Sequence, residues 1–323
     1  MEFMKTYYPC YYYKFKCIAD KCPDSCCKAW EIVIDDETYD RYLDVKAVIG
    51  DRIRKNIITD EDGDRCFKLS DGRCPFLNEK GLCDIHIELG EELTSKICRD
   101  HPRFIEEYDG FTEISLSLSC PEAARIILSE NPSDKLYPVP EYSGDDDVLE
   151  LLIDSRKKLL SLEKDFFGCV AELFEKAAND EEEINQCFFD RGYMPSADSI
   201  RSYIKILRDK CEILAPRWKK TLNKALDSAE STDGLYSYIR NNDDIMKNIL
   251  NYYIYRYYLK AVNDLDVYPR ALFIAFSAFS FALISLSSDY PLEEAARLYS
   301  KEIEHSTDNA DIILESLNEI PEV

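Results

Sequence analysis

Residues 17–27 read CIADKCPDSCC, four thiols on one short segment. Four more follow in order: Cys74, then Cys83 after eight intervening residues, Cys98 after a further fourteen, and Cys120. Ten of the 13 cysteines fall within the first 120 residues. The opening MEFMKTYYPC has no apolar run of signal-peptide length, so the chain is expected to be cytoplasmic with reduced thiols. In that compartment a dense cysteine pattern is more often a metal site than a disulfide framework, and an odd total argues against complete pairing. Thiolates are soft donors that suit Zn(II) and iron–sulfur clusters. Close spacing lets one loop deliver several ligands at little ordering cost, and the distant cysteines then close loops around the site.

The pattern excludes two common sites. A zinc ribbon has two C-x2-C knuckles and a radical-SAM site has C-x3-C-x2-C, and Cys22-x3-Cys26-Cys27 is neither. Eight candidate ligands exceed the four that one cubane or one zinc needs, so some are buried thiols or there are two sites. The pairs Cys83-x2-His86 and Cys98-x2-His101 share a helical face if helical, which leaves a Cys2His2 zinc site open. Cys10 and Cys66 stand outside the pattern and read as free thiols. Cys169, Cys187 and Cys211 read as small core residues. His305, in a polar C-terminal helix, reads as non-functional.

The rest of the chain sets the context. Its 323 residues carry 40 basic and 63 acidic side chains, net −23, a poor match for nucleic acid or anionic membrane. No two of its 10 glycines are one residue apart, which excludes a G-x-G-x-x-G loop. Composition divides it into a cysteine-rich module (1–130), a linker (131–145) and an α-helical domain (146–323). The expected fold is mainly α, with a loop-rich, cysteine-rich metal-binding N-terminal module packed on an α-helical C-terminal domain. Within the module, EIVID (31–35) alternates like a short strand, and LGEELTSKICRDHPRF (89–104) holds a short helix that stops before Pro102. In the helical part, Ser196 or Asp198 caps a helix through Ile200, Tyr203, Ile206 and Leu207, and Pro291 opens another. The apolar run Ala271–Ser288 reads as a buried core helix rather than a membrane span. The acid runs 145–147 and 181–183 read as solvated surface or helix first turns. Tyr252, Tyr253, Tyr255, Tyr257 and Tyr258 read as core packing, without the basic groove a base-stacking platform needs.

Three blocks, YYYKFKCIADKCPDSCCKAWEIVIDDETYDRY (11–42), CPFLNEKGLCDIHIELGEELTSKICRDHPRF (74–104) and SLSCPEAARIIL (117–128), resemble the flagellin lysine-N-methylase (FliB-type) family. NYYIYRYYLKA (251–261) resembles a later block of it. The first blocks also resemble the wider group with a zinc- or iron-chelating CxxCxxCC domain. The resemblance implies a cysteine-ligated metal centre, [4Fe-4S] with zinc as the alternative, and methyl transfer from S-adenosylmethionine to lysines of a flagellin-like protein. The family's positions matched here are Cys17, Cys22, Cys26, Cys27, Cys74, Cys83, Cys98 and Cys120. The resemblance assigns neither a catalytic residue nor a methyl-donor pocket. Tyr252, Tyr253 and Tyr257 are candidates to orient a lysine amine, and Trp30, Asp35 and Arg103 are candidates to border the metal, each with a structural role as the alternative: packing, a cap, and an acid's partner.

Overall fold

The computed structural model describes residues 5–28, 30–60, 63–129, 131, 137–186 and 194–320. In chain order the elements are β1 (Lys5–Tyr7), α1 (Asp36–Asp44), α2 (Val48–Lys55), β2 (Ile57–Thr59), β3 (Arg65–Phe67), α3 (Asp84–Leu89), α4 (Lys96–Asp100), β4 (Arg103–Tyr108), β5 (Phe111–Leu116) and α5 (Pro121–Ser129). The helical series continues with α6 (Asp147–Leu160), α7 (Phe166–Asn185), α8 (Ala197–Asp209), α9 (Pro216–Leu226), α10 (Thr232–Asn241), α11 (Asp243–Tyr257), α12 (Val267–Leu286), α13 (Leu292–Tyr299) and α14 (Thr307–Ser316). The chain is mainly helical, as its composition and periodicity require.

The residues cluster into two compact units. One is Lys16–Phe104 with Cys120–Glu122, and the other is Met1–Phe15, Ile105–Ser119 and Ala123–Val323. This differs from a division at residue 130, and strand pairing supplies the reason. β1 runs parallel to β5, Lys5 opposite Phe111 and Tyr7 opposite Glu113, and β5 pairs in turn with β4. The N-terminus and the 105–119 segment therefore belong to the larger unit. The linker segment 131–145 falls partly outside the described residues. Its end is defined by Asp146, whose carboxylate accepts the Val148 and Leu149 N–H groups and caps α6.

The larger unit is built on α12. All but two of its 20 residues are buried, and it packs against α7, α8, α11 and α13. The stretch that begins at Asp147 divides into α6 and α7, because Asp165 starts a new helix by capping Gly168 N–H. Ser196 rather than Asp198 caps α8, accepting from Ser199 N–H. The run 181–183 is not simply solvated: Glu181 is buried and accepts the Val267 N–H (2.5 Å) and Tyr268 N–H (3.0 Å), capping α12 from α7. Glu113 and Arg156, both buried, form a bidentate pair at 2.5 and 2.8 Å. Cys169 and Cys211 are buried as expected, and Cys187 lies outside the described residues.

The smaller unit has its own apolar cluster: Ile32, Ile34, Tyr42, Ile49, Ile53, Phe67, Cys74, Phe76, Leu77 and Ile85. The stretch 31–35 is not a strand. It makes one bridge, Val33 to Cys66, flanked by Ile34 N–H to Arg65 O (2.7 Å) and Phe67 N–H to Ile32 O (3.1 Å). Pairing stops there because Asp35 turns the chain into α1, accepting Thr38 N–H at 3.0 Å and Thr38 Oγ1 at 2.8 Å. The short helix expected near residue 98 is α4, and it ends before Pro102.

Candidate metal centre

All eight cysteines of the ordered pattern lie in the smaller unit. Cys120 joins it through a three-residue segment, Cys120–Glu122, whose neighbours on both sides belong to the other unit. None of the described cysteines is in a disulfide.

Local structure delivers the sulfurs from three places. The first is the loop after Cys17, where Cys27 O accepts Cys74 N–H at 3.0 Å and so ties the two cysteine segments together. The second is the turn in CPFLNEKGLC. Asn78 Oδ1 accepts Lys80 and Leu82 N–H, Gly81 takes a positive φ, and Leu77 bridges Cys83, which brings Cys83 back beside the Cys74 segment. Arg52 fastens this turn by ion-pairing with Asp84 (2.6 Å) and donating to Pro75 O (2.5 Å). The third is α4. Asp35 accepts Lys96 N–H at 2.8 Å, so one carboxylate holds the starts of α1 and α4. Against partial desolvation, which raises it, the Lys96 and Thr38 donors hold the Asp35 carboxyl below the ordinary range.

Four sulfurs act on one another through their charges, although among the described residues no three of them come within 4.8 Å of one another. Burial pushes the Cys74 thiol up to about 12, opposed by the Phe76 N–H and reinforced by Cys83, Cys98 and Cys26. Burial pushes Cys98 up to about 11, opposed by the Ser95 hydroxyl, which donates to its Sγ at 3.1 Å, and reinforced by Cys26 and Cys83. Cys83 is raised by burial and by Cys26, while the His86 and Ile85 N–H groups donate to its sulfur. Cys26, Cys74, Cys83 and Cys98 are thus a mutually interacting set. Cys22, raised by its own desolvation, also feels Cys17 and Cys26. Cys27 packs against the apolar cluster.

The bordering residues take structural roles. Trp30 packs on the cluster and donates through Nε1 to Cys26 O at 2.9 Å, and its ring lies 5.3 Å from His101. Arg103 donates to Arg99 O at 3.4 Å. Ala29, between the loop and Trp30, lies outside the described residues. His86 is exposed, and its backbone rather than its ring meets Cys83. His305 is not within a helix. It follows the π-helical turn Ser300–Glu304, and its Nε2 lies 3.1 Å from Ser117 Oγ and 2.8 Å from Ser119 Oγ.

Sequence reasoning missed Tyr42, the carboxylate neighbours of Cys66, and Glu304. Tyr42 lies buried beside the cysteine set, and only its register with buried Thr38 on α1 signalled an inward face. Cys66, read only as a free thiol, forms with Glu31 and Asp60 a cluster whose ligand-type atoms all lie within 4.8 Å of one another. In the larger unit, Tyr252 and Tyr257 donate to buried Glu304 at 3.2 and 3.1 Å, while Tyr253 stacks on Tyr257. These tyrosines pack the core, which is the plainer of the two readings of the sequence.

The set fits a thiophilic metal or cluster. Cys74, Cys83 and Cys98, with raised proton affinities, are repelled by one another and by Cys26 when ionised, which a bound cation reconciles, and ligation deprotonates them. The N–H···S and O–H···S contacts on Cys74, Cys83 and Cys98 are the outer-shell donors such a site uses.

Residues 16–116 match a family described as "Putative zinc- or iron-chelating domain". The flagellar biosynthetic protein FliU of Salmonella muenchen is 34% identical over 128 residues, covering 38% of this chain and 76% of that protein. The chain belongs to the lysine-N-methylase (FliB-type) family, within the wider CxxCxxCC group. Lysine-N-methylases of Salmonella typhimurium (strain LT2) and Salmonella choleraesuis are each 32% identical over 130 residues, covering 38% of this chain and 32% of each relative. The chain thus spans about a third of the length of these family members. No solved structure matches. The matched span 16–116 contains seven of the eight ordered cysteines, all but Cys120.

Proposed function

We propose that this protein is an S-adenosylmethionine-dependent protein-lysine N-methyltransferase with a [4Fe-4S] cluster ligated by Cys26, Cys74, Cys83 and Cys98. The observation that carries the reading is that the Cys74, Cys83 and Cys98 sulfurs each feel the others or Cys26, within a family that includes lysine-N-methylases. Cys17, Cys22, Cys27 and Cys120 then lie outside the cluster's four ligands, and Cys22 feels both Cys17 and Cys26. With each of its four irons held by a cysteine, a bound cluster would leave no open position to chelate the methyl donor and would instead hold the cysteine-bearing segments together. The chain's own residues define the rest. Ser95 and the backbone N–H groups of Phe76, Ile85 and His86 hold charge on the sulfurs. Trp30 and Phe76 exclude water from one side.

Methyl transfer needs an uncharged amine aligned with the methyl group. Tyr252, Tyr253 and Tyr257 are committed to the core and do not orient that amine. The larger unit has an open, polar cavity of about 860 Å³ lined in part by Asn241, Asn242, Asp244, Asn248 and Glu293, which suits a cationic peptide. The substrate is a flagellin-like protein, in keeping with the flagellar name of one relative.

The similarity stops within the cysteine-bearing part, and this favours a second reading: a non-catalytic zinc- or iron–sulfur-binding protein with a metal-handling or partner-binding role. Anaerobic purification with iron, sulfide and zinc analysis, followed by calorimetric titration with S-adenosylmethionine, separates the two. About four irons and four sulfides per chain together with donor binding support the methyltransferase. Iron and sulfide without donor binding support the second reading, and about one zinc per chain removes the cluster.

A further inference from the structure

One buried polar group faces the cysteines and is used by nothing else. Tyr42 is fully buried on the inner side of α1, within the apolar cluster that contains Cys74 and against which Cys83 and Cys98 pack. Its backbone is anchored, since Arg54 Nη1 donates to its carbonyl at 2.9 Å. Its ring rests 6.1 Å from Phe67, centroid to centroid. Its hydroxyl is buried and has no hydrogen-bond partner among the described residues. Buried phenols ordinarily find a partner, and an orphaned one costs its full desolvation. Besides burial, the groups that act on this hydroxyl are Cys98, Cys83, Asp35 and Cys74. Asp35 already accepts three hydrogen bonds, from Thr38 and Lys96. The remaining three are sulfurs of the proposed ligand set. A neutral thiol is a weak acceptor, whereas a sulfur carrying charge is a strong one.

We propose that Tyr42 is a positioning residue of the metal centre, its hydroxyl donating a hydrogen bond to a ligand sulfur when that sulfur is charged by ligation. This rests on the metal-centre reading above. It makes the hydroxyl a liability in the metal-free chain and a stabilising donor in the loaded one, so the effect of removing it changes sign with occupancy. On an iron–sulfur centre, a donor to sulfur favours the reduced state, which carries the extra negative charge.

Tyr42→Phe tests this in the full chain, because it keeps the ring and deletes only Oη. Wild type and variant are reconstituted anaerobically with iron and sulfide, and metal content is measured first. If both carry the cluster, a dithionite titration followed by electron paramagnetic resonance should make reduction of the variant about tenfold less favourable, about 59 mV for one electron. If the metal is zinc, the variant should lose it to a chelator at least about tenfold faster. Metal-free variant should withstand urea as well as metal-free wild type, or better. Equal potentials, or equal zinc loss, would overturn the role of Tyr42 while leaving the metal centre standing. A metal-free variant that fails to fold also overturns it, since the hydroxyl would then be needed without metal. Absence of both metals from wild type would fell the metal reading and this inference together.

Discussion

The raised thiols predict opposite pH responses for the metal-free and metal-loaded protein. Cys74 is 5% exposed, and its proton affinity rises from the ordinary 9.0 to about 12. The folded state therefore holds this proton more tightly than the unfolded state. Its contribution is fully present below pH 9 and is lost as pH climbs toward 12. At about 1.4 kcal/mol per pH unit, the whole effect is roughly 4 kcal/mol, with about 2 kcal/mol gone by pH ~10.5. Anaerobic urea titrations with chelator, at pH values from about 8 to 10.5, would measure this. Tyrosines and lysines titrate in the same range, so the informative quantity is the difference in slope between wild type and Cys74→Ala. Wild type should lose about 2 kcal/mol more than the variant across that range. Loading behaves oppositely: each ligand must give up its proton, so apparent metal affinity should rise with pH through neutrality. Parallel pH profiles for wild type and Cys74→Ala would refute the claim that Cys74 is a desolvated thiol held among other sulfurs.

Four other outcomes are expected. Alanine at Cys26, Cys74, Cys83 or Cys98 should each abolish stoichiometric iron or zinc binding by elemental analysis, while Cys10→Ala, outside that unit, should retain it. Glu181→Ala should cost about 2–4 kcal/mol in chemical denaturation, because two buried N–H groups at the start of α12 lose a charged acceptor. Glu113→Gln should cost roughly 3–5 kcal/mol, since Arg156 is left buried without its counter-charge. Asp244→Asn should weaken binding of a lysine-bearing peptide, read by calorimetry, without altering metal content.

The helical part was legible wherever local chemistry and periodicity agreed. Ser196 stands before Ala197-Asp198 and a stripe of Ile200, Tyr203, Ile204 and Leu207, and it caps α8 as such a pattern requires. Val267–Leu286 carried no polar face, and a helix apolar all round is a buried one; 89% of its most apolar window is buried here. Legibility failed where a residue's partner is remote. Glu181 looks solvated because its neighbours are Asp180, Glu182 and Glu183, yet its partners are two amides some 86 residues away. Segment 31–35 alternates like a strand, but a strand needs a neighbour in register, and only Val33 finds one.

For the site, order and spacing identify which residues can be ligands but not which of them meet. Cys26 and Cys27 are adjacent and indistinguishable by spacing, yet Cys26 joins Cys83 and Cys98 while Cys27 spends its carbonyl on Cys74 N–H and packs on the apolar cluster. That choice is made by the turn at Asn78–Leu82 and by Asp35, which bridges α1 to α4, and neither contains a cysteine. The same bridging fixes the register of α1 and so turns Tyr42 inward beside the sulfurs. In DETYDRYLD two tyrosines stand three apart and share one face of the helix, and both meet the apolar cluster. Tyr39 is only partly buried and lies under the Arg65 guanidinium, 4.1 Å from its ring centroid, whereas Tyr42 takes the fully buried position. A metal site defined by its cysteines alone omits the residues that orient the sulfurs and the hydroxyl that answers their charge, and those are the residues whose substitution would separate tuning of the centre from its assembly.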